Sequence, residues 1–139
     1  MERNTALQPF LSRLTTERQI CTDLLGSFMT GNHRRTVKTA VLNFWKNHLQ
    51  KHIEVEEKTL IPFLLQHHFD KQYTNLLHRE HETMRVIAER LQGEQESDYL
   101  FGAFVKLVQQ HLLFEDNVIF ARMRETIPAP ELERLKLVA

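Results

Sequence analysis

Apolar residues recur along the chain at spacings of three and four, and they divide it into four long amphipathic segments. Leu7, Phe10, Leu11, Leu14, Cys21, Leu25 and Phe28 mark a first helix over about 4–29, and Arg18 falls on its stripe. Thr30, Gly31 and Asn32 form a stop and a turn. Val37, Val41, Phe44, Trp45, Leu49, Ile53, Leu60 and Leu64 then predict a second, long helix ending near His68. Pro62 is placed to kink it, because a proline removes one ladder hydrogen bond and crowds the carbonyl four residues back. A third helix, about 70–91, turns Tyr73, Leu77, Met84, Ala88 and Leu91 inward and stops at Gly93. After a polar linker from Glu94 to Asp98, a fourth helix runs to about Thr126 on Leu100, Phe104, Leu107, Val108, Phe114, Val118 and Ile119. Pro128 and Pro130 close it and leave a short amphipathic tail through Leu132, Leu135 and Val138.

Four such helices on short links bury their faces most simply as an all-α, up-down-up-down four-helix bundle, here with a short C-terminal helical tail. In that topology the second and fourth helices run parallel. The 139 residues make one domain, 1–139, with a core of useful size. Only four glycines and four prolines agree with helix almost throughout. Lys plus Arg equals Asp plus Glu at 18 each, so no long-range field draws the chain to a phosphate backbone or a membrane surface. Neither nucleic acid nor membrane is an expected partner. The lone Cys21 cannot form an internal disulfide, and Met1 to Asn4 lead into no apolar signal-like run, so a cytosolic protein is expected.

Titratable residues interrupt the apolar stripes in a repeated way. On the second helix the four-residue line reads Ala40, Phe44, His48, His52, Glu56, Leu60, Leu64; on the fourth it reads Ala103, Leu107, His111, Glu115, Ile119, Met123. The stretches starting at His52 and His111 can be laid over each other residue for residue, and on parallel helices both pairs can sit at one level. His81 stands on the third stripe between Leu77 and Met84. A single His and Glu four apart is commonly an exposed pair worth a few tenths of a kcal/mol. Three imidazoles and two carboxylates converging in a core are a different matter. That donor mix suits iron, manganese or zinc better than calcium or magnesium, and a cation would neutralise carboxylates the core could not otherwise hold. His48, one turn above His52, reads equally as a ligand or as a donor to one, and His78 as a rim residue. Glu57 and Asp116 follow the paired carboxylates, and Asp116, five residues after His111, rivals Glu115.

These residues resemble the hemerythrin-like family, also called the HHE cation-binding domain. The matching phrases are His52-x-x-x-Glu56-Glu57-x-x-Leu60-Ile61-Pro62, Glu80-His81 and His111-x-x-x-Glu115-Asp116-x-x-Ile119-Phe120, with Phe44-Trp45-Lys46-Asn47-His48-Leu49 as lead-in. The resemblance implies a bundle holding non-haem iron, di-iron or mononuclear, or another transition metal. It implies binding of dioxygen, nitric oxide or peroxide, redox sensing or iron handling rather than turnover, and it is compatible with a homodimer. The family's first-helix histidine has no counterpart here: no histidine precedes His33, and the place falls at Thr15, while the stripe also permits Arg18. The alternative is therefore a metal-free or weakly metal-binding bundle acting as a regulatory or interaction domain. A ferritin-like oxidase would need Glu-x-x-His, yet the residues three before His48, His52, His81 and His111 are Trp45, Leu49, His78 and Val108. A zinc hydrolase would need a second histidine after His81-Glu82, and position 85 is Arg85.

Overall fold

The four stripes close on one another in a computed structural model of the chain, which describes residues 8–30, 34–93 and 98–135. Helix α1 is Gln8–Thr30, α2 runs over 34–66, α3 is Lys71–Leu91, α4 runs over 98–126, and a single turn, α5, is Ala129–Leu132. No strand occurs among the described residues. The chain is an all-α bundle in which α4 packs against both α1 and α3, and α1 against α2. The Gly31–Asn32 turn, most of the linker after Gly93, and the side chains of Leu7, Phe28 and Val138 lie outside the described residues.

The helix ends follow local chemistry. α2 stops at Gln66, two residues before the expected end, because His68 takes a left-handed conformation with φ 61°. The amide of Phe69 then reaches back to the Leu64 carbonyl at 2.9 Å, closing the helix as a glycine-type cap would. Asp70 caps α3 by accepting from the Gln72 amide at 2.9 Å. Leu132 and Leu135 are buried, so the tail folds onto the bundle as its pattern predicts.

Periodicity did not foretell three widened turns. α2 contains π-helical segments at Trp45–Leu49 and Glu56–Leu60, and α4 contains one at Glu115–Ile119. Each inserts one extra residue into a turn, and the amides of Gln50, Ile61 and Phe120 bond five residues back. The first carries Leu49 beneath Trp45 and leaves His48 exposed, so the straight four-residue line drawn through His48 does not hold. The second meets Pro62, and helical dihedrals continue through Leu60 and Ile61.

On α1 the buried stripe is Phe10, Leu14, Glu17, Cys21, Leu24, at alternating steps of four and three. Arg18 lies one position off it and pairs with Asp116 at 2.6 Å on the surface, and Thr15 is exposed with its hydroxyl on the Leu11 carbonyl. Neither side chain points into the core.

Candidate metal centre

Seven polar or charged residues are buried among the described positions: Glu17, His52, Glu56, Thr74, His81, His111 and Glu115. All but Thr74 belong to one cluster at mid-height of the bundle. His52 and Glu56 come from α2, His81 from α3, and His111 and Glu115 from α4, each delivered by an apolar stripe that leaves it no route to solvent.

The three imidazoles turn Nε2 inward onto two carboxylates. His52 Nε2 lies 2.8 Å from Glu56 Oε2 and 2.8 Å from Glu115 Oε1. His81 Nε2 is 2.6 Å from Glu56 Oε1, and His111 Nε2 is 3.3 Å from the same oxygen. Glu115 Oε2 is the exception. It stands 3.3 Å from His111 Nε2 without hydrogen-bond geometry, and it is fully buried with no partner. One donor atom from each of His52, Glu56, His111 and Glu115 falls within 4.8 Å of all the others, a spread that could hold a metal ion. His81 adds a third inward nitrogen beside Glu56.

Burial works against charge on every member, yet mutual pairing outweighs it. Burial alone would lift the Glu56 carboxyl; His52 beside it, with hydrogen bonds from His111, His52 and His81, holds it well below the usual carboxylate range. Burial likewise opposes protonation of His52, but Glu56 and Glu17 push that imidazole up to about 10. His111 rises for the same reason, through its bonds to Glu56 and Glu80. A proton therefore occupies, at neutral pH, the inward nitrogen of His52 that a cation would use, and the shift of His111 runs in the same direction.

The structure thus brings together His52, Glu56, His81, His111 and Glu115, and it leaves the other candidates outside. His48 and His78 are exposed, and Asp116 is spent on Arg18. Two residues are added. Glu17 bonds His52 Nδ1 at 2.8 Å, and Glu80 bonds His111 Nδ1 at 2.6 Å. The step pattern Phe10, Leu14, Cys21, Leu24 points to position 17; Glu80, on the partly exposed flank of α3, carries no such signal. Glu57 proves to be an acceptor for His81 Nδ1 at 2.8 Å, with Arg85 holding its other side.

The donors fit a transition metal: imidazole nitrogens and carboxylate oxygens only, an orphaned buried oxygen aimed among them, and outward nitrogens already oriented. Comparisons with the curated proteins and with the solved structures yield no match. A family model does match, over residues 9–126, and its span takes in every member of the cluster. The chain belongs to the family of the hemerythrin HHE cation-binding domain.

Proposed function

We propose that this chain is an iron-binding protein of its family, holding the ion through His52, Glu56, His81, His111 and Glu115 and serving small-ligand binding, redox sensing or iron handling. The observation that carries the reading is the convergence of three Nε2 atoms on two buried carboxylates, one of whose oxygens, Glu115 Oε2, has no partner among the protein groups. A buried, unpartnered carboxylate oxygen costs about 1–3 kcal/mol or more, and a cation removes that cost.

Bound iron would supply redox chemistry and an open coordination position for a diatomic ligand or peroxide. The chain's own part is to orient and to exclude. Leu60 and Ile119, one turn beyond Glu56 and Glu115, are buried, Phe10 packs its ring 5.0 Å from that of His52, and the buried cluster is thereby screened from bulk water. No helix among the described residues is long and apolar enough to cross a membrane.

The test is metal analysis of the full chain purified anaerobically from iron-supplied cells, with absorption spectra before and after exposure to air. Bound iron whose spectrum changes on oxygenation supports the reading; a chain that retains no transition metal under those conditions sinks it.

One observation favours a second reading, a metal-free regulatory or interaction bundle. Apart from Glu115 Oε2, every buried side-chain nitrogen and oxygen of the cluster has a protein partner, so imidazoles and carboxylates nearly satisfy one another. That reading expects a melting temperature indifferent to chelator, whereas a bound metal stabilises by mass action.

A further inference from the structure

Each of the three imidazoles has a second carboxylate behind it, and these three follow a rule. His52 on α2 is backed by Glu17 on α1, His81 on α3 by Glu57 on α2, and His111 on α4 by Glu80 on α3. Every bond is made by Nδ1, every acceptor is a glutamate, and each glutamate comes from the helix preceding its histidine in the chain. The distances are 2.8, 2.8 and 2.6 Å. Glu17 is only 3% exposed, and a carboxylate sealed that deeply is retained at a cost unless its partner needs it.

An Nδ1–H donated to a carboxylate has two effects. It fixes the tautomer and the rotation of the ring, so that Nε2 presents its lone pair inward. It also draws the N–H proton toward the acceptor, which makes Nε2 a stronger donor, and the added negative charge favours the more highly charged state of a bound ion. Backbone carbonyls would supply the first effect with little of the second. All three positions use the anionic acceptor.

We propose that Glu17, Glu57 and Glu80 are positioning residues that hold the three imidazoles Nε2-inward and bias a redox-active ion bound there toward its higher oxidation state. The inference rests on the metal-binding reading above. It adds that the shell behind the histidines, contributed stepwise by three helices, sets both affinity and potential.

The experiment uses the full chain as wild type, Glu17→Gln and Glu80→Gln, with Glu54→Gln, an exposed carboxylate outside the cluster, as control. Cobalt(II) is titrated optically to give affinity, and the midpoint potential of the iron-loaded protein is measured by anaerobic spectroelectrochemistry. The expected result is cobalt(II) binding weaker by about 10- to 100-fold in both cluster variants, with the iron potential moved in the positive direction, and no change in the control. A loss of packing also weakens cobalt(II) binding, but it admits water, which favours the more highly charged ion and moves the potential the other way, so the two readouts together decide. If Glu17→Gln does not fold, Glu80→Gln decides, because that side chain is partly exposed. Unchanged affinity and potential in the cluster variants, with a wild type that binds metal, overturn the positioning role only. A wild type that binds neither cobalt(II) nor iron overturns the metal reading and this inference with it.

Discussion

Glu17 and His52 face each other across a 2.8 Å hydrogen bond, so the first helix reaches the cluster from behind an imidazole rather than at its inward nitrogen. The neighbouring Arg18 turns the other way, onto Asp116. This separates two adjacent residues sharply in their energetic weight. Glu17→Ala strips a partner from a buried charged pair and is expected to cost about 3 kcal/mol. Arg18→Ala removes a half-exposed ion pair and is expected to cost less than about 1 kcal/mol. Denaturant unfolding of the chelator-treated protein measures both, and equal losses would contradict the assigned directions of the two side chains.

Metal retention should follow burial and not histidine count. His81→Ala and His111→Ala are expected to lose most of the bound metal, since each removes an inward Nε2. His48→Ala and His78→Ala should retain the wild-type content, because both side chains are exposed. Elemental analysis of the four variants, purified in parallel, makes the comparison.

The pairing also fixes how stability responds to pH once metal has been stripped with chelator. His52 rises from 6.5 to about 10 in the folded chain, so its contribution is complete below about 6.5 and is lost as pH climbs through about 10. Glu56 falls well below 4.5, so its contribution is present above about 4.5 and is lost as pH drops toward its folded value. Stability contributed by the pair should peak between about 4.5 and 6.5 and decline on the alkaline side. A melting temperature that instead climbs steadily from pH 6 to pH 10 would refute the pairing.

Metal should reverse that alkaline trend. A cation can use Nε2 of His52 only after displacing a proton held there at neutral pH, and the upward shift of His111 works in the same direction. Zinc titration at pH 7 is therefore expected to release protons, visible as a buffer-dependent heat, and apparent affinity should strengthen toward alkaline pH. Proton-neutral binding would show that the ion sits elsewhere.

Cys21 provides an independent probe of the core. Burial, with the nearby charge of Glu17, pushes its thiol up to about 12. At pH 8 it should resist thiol-specific reagents in the native protein and react fully in guanidinium. Stoichiometric labelling within the mixing time would mean that α1 does not pack as described.

The helices, their stripes and the two His/Glu pairs were legible in the sequence because a 3.6-residue period and a repeated motif are local properties of the chain. On the first helix the residue pattern offers Thr15 or Arg18, and the side chain that faces in is Glu17, between them. Arg18 drew attention as a charged residue near a stripe traced through Leu11 and Leu25, whereas the buried steps run through Phe10, Leu14, Cys21 and Leu24 and leave Glu17 facing in. His48 failed for another reason. A widened turn at Trp45–Leu49 breaks the four-residue line, and π-helical segments have no signature in hydrophobic spacing. Glu80 stands in the phrase Glu80-His81, but spacing gives it no role of its own, since its importance arises from the imidazole of His111 across the helix interface.

The widened turns also divide the labour within the cluster. His52, His81 and His111 all stand on regular α-helical turns, while Glu56 and Glu115 are each the first residue of a π-helical segment. The nitrogens of the cluster thus come from regular turns and its two carboxylates from widened ones, and π-bulges of this kind recur at functional sites.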